Sequence, residues 1–355
     1  MREDTPATEI LSFITSPAFS VCDGTVTHCN DAAKRLLFLE GTPISSLLPQ
    51  NQTEYASFQD GCLFITLKHN NQSYNASVVR VDGADVFVIE EENDRTELKT
   101  LSLTAANMRQ PLSATIAATV SLTSSLEQND DPKVRTQLQH MNRNLCRMHR
   151  MLCNMSDTLQ YADGTSNHMV CQNIVSVVEG IFQQSQRMCE QRNIHLEYSV
   201  PNEAILCTID EALLERGIYN MLSNAIKFSP EGAVIQAYLI RRDRRVYISV
   251  KDQGCGIPDS ILSSVFNRYQ RQPGLEDSRF GLGLGLVLVR YAARVHDGTV
   301  LVDRPDQCGT RITISFPIQQ STASLVRSGV THVDYAGGWD HSLLELSDVM
   351  PATLY

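Results

Sequence analysis

Two asparagines and a lysine in the stretch NMLSNAIKF, residues 220–228, are spaced as one side of a helix would space them. Asn220 and Asn224 are four residues apart, and Lys227 follows three residues later, so the three side chains lie on neighbouring turns of one face. Two amides and an ammonium group on one face suit a charged ligand. They suit an ordinary polar helix surface equally well, so this spacing alone leaves both interpretations open.

Glycine-rich stretches form a second group of residues with chemical meaning. The stretch DQGCGI at residues 252–257 closes a strand-like run, GLGLG at 281–285 opens a helix, and Gly309-Thr310 precedes the last strand-like run. Glycines at a helix start let backbone N–H groups approach an anion, which the helix dipole also favours. The stretch GLGLG at 281–285 therefore predicts a phosphate-binding turn, although a single glycine loop is also common in ordinary turns.

Taken in order, and together with Phe266 and the stretch RYQR at residues 268–271, these stretches resemble the N, G1, F, G2 and G3 boxes of the histidine kinase ATP-binding domain, an α/β sandwich of the Bergerat type. The resemblance implies ATP and Mg²⁺ as cofactors. Asp252 would accept a hydrogen bond from the adenine amino group, and Asn224 would ligate Mg²⁺, which prefers oxygen donors. The nucleotide-binding residues that the resemblance implies are Asn220, Asn224, Lys227, Asp252, Gly254, Gly256, Ile257, Arg271, Gly281, Gly283, Leu284, Gly285 and Thr310.

The resemblance also implies a role for several of these residues. Gly254 and Gly256 would leave room for the base, with Ile257 beside it, while Lys227 and Arg271 would balance phosphate charge. In related Bergerat ATPases, a glutamate that activates water stands at the position of Asn220, and an asparagine cannot serve as a general base. The site therefore favours holding ATP or transferring its phosphoryl group over hydrolysing it.

Residues 164–318 supply the strands and helices that such a site needs. The pattern predicts helices over 173–192, 210–228 and 284–295. Strand-like runs cover 195–200, 205–209, 234–240, 246–251, 299–303 and 310–316. Residues 319–355, with the one tryptophan at Trp339, are predicted to be a polar tail of unknown role, in which only 343–349 is apolar enough to dock on another surface.

Residues 93–163 have a helical pattern instead. Apolar residues alternate steps of four and three and so form one seam, typical of a coiled coil or helical bundle, at Val134, Leu138, Met141, Leu145, Met148, Leu152, Met155 and Leu159. Asp131-Pro132 supplies a helix start, and residues 128–130 supply the turn from a first helix that ends near Leu126. Two helices cannot cover both seams alone, so we expect a homodimer that completes a four-helix bundle.

The first of these helices carries a sequence that resembles the phosphoacceptor motif H-E-x-R-T-P-L of histidine kinases. The corresponding residues 106–112 read ANMRQPL, so Ala106 stands at the histidine position and cannot be phosphorylated. Asn107 and Gln110 would retain amides that could orient water in a phosphatase reaction, or they are simply tolerated surface residues. His140 and His149 lie off the apolar seam of the second helix and are expected to be exposed.

Residues 8–92 read as a small α/β unit. Two early strands around the turn Asp23-Gly24, a helix over 30–37, and later strands over 62–67, 74–79 and 84–89 resemble a PAS sensor domain. His28 is interpreted as structural, and no ligand is assigned.

Composition excludes several functions. The net charge of -10, from 40 acidic and 30 basic residues, gives no basic excess for nucleic acid. No apolar run approaches the roughly 20 residues of a membrane helix, no signal-peptide layout opens the chain, and scattered cysteines suit a reducing compartment. We therefore expect a cytoplasmic protein without a membrane span.

Three functions remain in competition at this stage. The first is a sensor histidine kinase that acts on a separate response regulator, since no receiver domain follows. The second is an altered relative that acts as an ATP-responsive scaffold or a phosphatase. The third, a serine kinase of the anti-sigma type, fits poorly because such proteins lack the paired helices and the PAS-like region.

Overall fold

The computed structural model describes residues 11, 13–81, 83–90, 95–126, 131–160, 168–258, 262, 284–305, 309–319 and 340–355; for 95–103, 106 and 156–160 it describes the backbone alone. The N-terminal unit, residues 18–89, consists of β1 Ala18–Cys22, β2 Thr25–Cys29, α1 Asp31–Arg35, α2 Ile44–Leu47, α3 Gln52–Ser57, β3 Cys62–His69, β4 Gln72–Val81 and β5 Ala84–Ile89.

The predicted strands and first helix of the N-terminal unit are present. Asp23 and Gly24 both have positive φ, at 49° and 73°, and form the turn between β1 and β2. Asn30 caps α1 by accepting a hydrogen bond from the backbone N–H of Ala33 at 2.9 Å. The two short helices α2 and α3 were not predicted, because helices of this length carry no periodic signal.

The strands of this unit form an antiparallel sheet in the order β2-β1-β5-β4-β3. Its interior is filled by stacked aromatic rings. The ring centroid of Phe19 lies 5.2 Å from that of Phe38 and 4.8 Å from that of Phe87. Aromatic side chains bury large apolar areas, so this stack supplies much of the core.

The helical pair consists of α4 Arg95–Leu126 and α5 Pro132–Gln160. Asp131 accepts a hydrogen bond from Lys133 N–H at 2.9 Å at the predicted start of α5. The two helices pack through buried Leu112, Ile116, Leu145 and Leu152, which bears out part of the predicted seam. Met148 of that seam is instead 53% exposed. The predicted turn over 128–130 lies outside the described residues.

The C-terminal unit, residues 170–317, follows the predicted pattern with shifted element ends and one additional strand, β6. Its elements are β6 Val170–Asn173, α6 Ile174–Glu190, β7 His195–Ser199, β8 Leu206–Ile209, α7 Glu211–Phe228, β9 Val234–Arg242, β10 Arg245–Lys251, α8 Gly285–Val295, β11 Thr299–Asp303 and β12 Arg311–Pro317.

Ten of the described strands pair into one continuous sheet that joins the two units. Its order is β2-β1-β5-β4-β3-β11-β12-β10-β9-β7. At the junction, β3 runs antiparallel to β11, with Phe64 opposite Val300 and Cys62 opposite Val302. Cys62 and Phe64 are buried in the same apolar core as the C-terminal unit. No sequence pattern predicts this pairing, because an edge strand can pair with any strand that has free backbone groups.

The end of the chain confirms that the apolar run at 343–349 docks on another surface, and it corrects the prediction of a polar tail for residues 340–355. The rest of the predicted tail, residues 320–339, lies outside the described residues. The C-terminal segment, residues 340–355, forms the helix α9 His341–Glu345 and a short 3-10 helix, Ala352–Leu354. Leu344, Leu346 and Met350 are fully buried. They are buried because the segment packs against α5 and α7, which lie far away in sequence. Among the residues that the structure describes, no helix is long and apolar enough to span a membrane.

Candidate nucleotide site

Asp252 is the centre of the candidate site and lies directly after β10. Its carboxylate is buried, and Oδ1 accepts hydrogen bonds from the backbone N–H groups of Gly254 at 2.8 Å and Thr310 at 3.0 Å. Burial raises the pKa of Asp252, and the two N–H donors oppose that rise. Oδ2 has no hydrogen-bond partner among the described residues, so it can accept one from a ligand.

The loops at residues 252–257 and 309–310 are held together by their backbones. Gly309 N–H donates to the carbonyl of Gly254 at 3.0 Å, and Asp252 N–H donates to the carbonyl of Thr310 at 2.9 Å. Gly309 has a φ of 78°, and a Cβ at this position would overlap the carbonyl oxygen of Asp252. The close approach therefore requires glycine. Ile257 is partly buried and packs against the main core.

Helix α7 positions the amide face that the sequence predicts. Its N-cap, Asp210, accepts a hydrogen bond from Leu213 N–H at 3.0 Å. Asn220 is buried, and its Nδ2 donates to the carbonyl of Arg216 one turn earlier, at 2.8 Å. Asn224 and Lys227 are half-buried. The face therefore presents one buried amide and two partly accessible polar groups.

The start of α8 lies against this amide. Leu284 is buried at the N-cap, and a Cβ on Gly285 would lie 2.8 Å from Oδ1 of Asn220. On the next turns, a Cβ on Gly217 of α7 would lie 2.9 Å from Cβ of Ala292. The two helices thus approach closely because glycine stands at both contacts, and the N-terminus of α8 faces Asn220.

The described residues that the sequence singled out include two groups of neighbouring residues. Asp252, Gly254, Gly256 and Thr310 lie in the paired loops, while Asn220, Leu284 and Gly285 meet at the α7–α8 contact. Predicted residues that lie outside the described part of the chain are Arg271, Gly281 and Gly283.

Asn107 and Gln110 lie on α4 and are exposed, as expected of surface residues or of groups that meet a partner. His140 is exposed as predicted, but the same prediction for His149 is wrong, because that side chain is buried. His149 lies off the apolar seam of α5 and is nevertheless buried in the folded chain.

Arg150 is a residue at the site that the sequence did not indicate. It extends from α5, and its Nη2 donates to Oδ1 of Asn220 at 3.0 Å, while Nη1 lies 3.4 Å from Oγ of Ser223. An arginine off the seam of a long helix is usually solvated, so only its position in the fold reveals the contact.

The amide oxygen of Asn224 is the kind of donor that Mg²⁺ accepts. Among the described residues, no group of three or more His, Cys, Asp or Glu side chains is placed to hold a metal ion. Mg²⁺ commonly uses one or two protein oxygens together with substrate phosphates and water. The partly accessible amide of Asn224 can supply such an oxygen.

Comparison with known proteins identifies the type of domain. Residues 209–320 match the family described as histidine kinase-, DNA gyrase B-, and HSP90-like ATPase. The chain is 26% identical over 214 residues to the sensor protein KdpD of Clostridium acetobutylicum, a match that covers 60% of this chain and 24% of that protein. It is 29% identical over 270 residues to the adaptive-response sensory kinase SasA of Crocosphaera subtropica, covering 71% of this chain and 68% of that protein.

A solved structure of full-length ShkA in complex with AMPPNP has a similar fold. It superposes with a TM-score of 0.51 at 19% identity, over 64% of this chain and 47% of that chain. At this identity the likeness shows the fold alone. The match to the two curated relatives spans about a quarter of one and about two thirds of the other.

Proposed function

We propose that this chain, whose residues 209–320 match the family of histidine kinase-, DNA gyrase B-, and HSP90-like ATPases, is a relative of the sensor histidine kinases that binds ATP with Mg²⁺ and signals to a response regulator without phosphorylating itself at the usual site. The main observation in support of ATP binding is the buried carboxylate of Asp252. Two backbone N–H groups hold its Oδ1, so Oδ2 remains to accept the adenine amino group.

The other site residues suit the remaining parts of the nucleotide. Asn224 would provide an oxygen to Mg²⁺, and Lys227 and Arg271 would balance phosphate charge. The N-terminus of α8, with Gly281, Gly283 and Gly285 before and at its start, would bind phosphate oxygens. When bound, Mg²⁺ would neutralise phosphate charge. Asn220 cannot take a proton from water, so the site holds ATP in preference to hydrolysing it.

The helical pair supports the second part of the proposal. Alanine at position 106 has no atom that can accept a phosphoryl group, and Asn107 lacks the acidity of the residue that it replaces. We therefore favour an ATP-responsive scaffold within a phosphorelay. A second candidate is a phosphatase toward the regulator, because Asn107 and Gln110 are both exposed on α4 and thus accessible to a partner.

Exposed apolar side chains support a homodimer through the helical pair. Met108 and Met148 are each 53% exposed, and Val120 and Leu122 are nearly as open. Large apolar side chains on paired helices usually form the core of a helical bundle. A second copy would cover them and complete the four-helix bundle.

The strand order of the N-terminal unit supports a PAS-like sensor. Its sheet follows the order β2-β1-β5-β4-β3, and all three of its described helices lie between β2 and β3. In this proposal residues 8–92 sense a signal, residues 93–163 dimerise, and residues 164–318 bind nucleotide.

Incubation of the full chain with γ-labelled ATP and Mg²⁺ tests the proposal. We expect the wild-type chain to acquire no phosphohistidine, which would be a label stable to base and labile to acid. In a separate measurement, we expect calorimetry to detect nucleotide binding. The Ala106→His variant should gain such a label if the helix keeps the register of a kinase, and His140→Gln in that background is the control for an exposed histidine. Acid-labile label on the wild-type chain would contradict the conclusion that it lacks a phosphoacceptor. Absence of binding at millimolar ATP would contradict the proposed nucleotide site.

A phosphorylated cognate regulator tests the phosphatase candidate. Gln110→Ala should slow its dephosphorylation, because the amide that orients water is lost. Gln137→Ala, at an exposed position of α5, is the matched control. Equal rates for wild type and Gln110→Ala would leave only the scaffold.

A further inference from the structure

The C-terminal segment is a folded element with its own helix start. Asp340 caps α9, because its Oδ1 accepts hydrogen bonds from Ser342 N–H at 2.9 Å and Leu343 N–H at 3.2 Å. Leu344 packs on Cys146 of α5, and Tyr355 packs against the same pair. The segment thus covers one side of α5.

A row of arginines on α5 faces this segment. Arg143, Arg147 and Arg150 are spaced by four and three residues, so they lie on one side of the helix. The contacts are Arg143 Nε to the carbonyl of Ser347 at 3.2 Å, Arg147 Nε to Asp348 Oδ1 at 3.2 Å, Arg150 Nε to Glu345 Oε2 at 3.1 Å and Arg150 Nη1 to Asp348 Oδ2 at 2.8 Å. We call these three residues the arginine face.

Glu345 extends this contact to a second helix. Its Oε1 accepts a hydrogen bond from Arg216 Nε of α7 at 3.3 Å, while Oε2 binds Arg150 of α5. The side chain of Glu345 is 1% exposed and those of the two arginines are 5% exposed or less. Two buried guanidinium groups on different helices are therefore joined through one buried carboxylate, and removal of one partner from such a group is strongly destabilising.

Arg150 connects the same network to the nucleotide site. Its Nη2 donates to Oδ1 of Asn220, the amide that faces the start of α8. A carboxylate of the C-terminal segment thus lies one guanidinium group away from Asn220. The charge of Glu345 and the hydrogen bond from Arg150 both act on the side of the site where phosphate is expected.

We propose that the arginine face of α5 is an interaction surface for the chain's own C-terminal segment, and that this segment is a latch that holds α5 on α7 and lowers the affinity of the site for ATP-Mg. The nucleotide part rests on the proposed function. When the segment is bound, Glu345 and Asp348 hold Arg150 in the position from which it donates a hydrogen bond to Oδ1 of Asn220. Glu345 and Asp348 also pair with Arg150 and so neutralise a cation that would otherwise attract a polyanion to this site. Release removes both effects.

Thiol labelling of the full chain tests the latch without nucleotide. Cys146 is covered by the segment, whereas Cys189 is buried in the core of the C-terminal unit. Burial raises the pKa of each thiol to about 12, so neither thiol reacts readily while it is covered. Glu345→Gln should speed labelling of Cys146 at least tenfold and leave Cys189 unchanged, while Glu197→Gln, the same change at an exposed position, should alter neither.

The outcomes of this experiment are distinct. Faster labelling of Cys146 alone supports the latch, and Leu344→Ala should repeat the result by removing the apolar contact. Equal acceleration of Cys146 and Cys189 would mean that the segment is an inseparable part of the fold. No acceleration would mean that it does not hold α5. Either of the last two results would overturn the proposal.

Calorimetry with ATP-Mg tests the coupling to the nucleotide site. The Kd of Glu345→Gln should be at least threefold lower than that of the wild type, and Glu197→Gln should bind like the wild type. An equal or higher Kd for Glu345→Gln would overturn the coupling. If no form of the protein binds ATP-Mg, the proposed function fails, and the thiol result still decides whether the latch exists.

Discussion

Replacement of Asp252 by asparagine separates the role of this residue in binding from its role in folding. In the structure, Oδ1 accepts two backbone hydrogen bonds, and Oδ2 is the atom proposed to accept the adenine amino group. An asparagine side chain offers one acceptor and one donor. Either orientation of the amide therefore sets a donor against a donor, at the backbone or at the base.

The expected loss follows from one charged hydrogen bond. Such a bond contributes about 1.5–3 kcal/mol. Because about 1.4 kcal/mol changes an equilibrium constant tenfold, Asp252→Asn should raise the Kd for ATP-Mg by roughly 10- to 100-fold. Isothermal titration calorimetry of both proteins under one set of conditions measures this directly.

Stability should change far less than binding. Burial raises the pKa of Asp252, so folding favours the protonated carboxyl over the charged one. The stability that the protonated carboxyl contributes is present at low pH and is lost as pH rises through the raised pKa. At pH 7 the buried charge thus costs stability, which asparagine removes. We expect the Tm without nucleotide to stay at or near the wild-type value.

The matched control is Asp243→Asn at the other end of β10. Asp243 is exposed in the β9–β10 turn with a φ of 51°, a conformation that asparagine adopts readily. A Kd for Asp252→Asn within threefold of that for Asp243→Asn would refute the assignment of the adenine acceptor.

Three further predictions concern the site and the dimer. ATP affinity should weaken as pH falls through the raised pKa of Asp252, because the carboxyl becomes protonated in this direction; calorimetry that shows a flat profile would argue against Asp252 as the acceptor. Gly309→Ala should cost about 1–3 kcal/mol in urea unfolding, since its φ is positive and its Cβ would overlap Asp252. Gly232→Ala, with a φ of 79° but open space around it, should cost less. Met148→Glu should shift sedimentation toward the monomer, whereas Gln137→Glu on the same helix should not; an unchanged dimer in both would place the interface elsewhere.

Local sequence patterns predict the type of nucleotide domain and most of its elements. Residues 252–257 were recognisable because a buried carboxylate and glycines that permit close backbone approach are local requirements, visible in a few consecutive residues. The seam of α5 and the strands of both units were predictable for a similar reason. Hydrophobic periods of 3.6 and 2 residues reflect the local geometry of one element and the side that it buries.

The surfaces that these elements share depend instead on contacts between distant parts of the chain. Glu345 and Arg150 are separated by 195 residues and meet inside the protein. His149 is buried in the folded chain, although it lies off the apolar seam of its own helix. The pairing of β3 with β11 likewise joins two edges whose backbone groups suit many partners. Such contacts depend on packing between distant parts of the chain, and no period or short motif in the sequence records them.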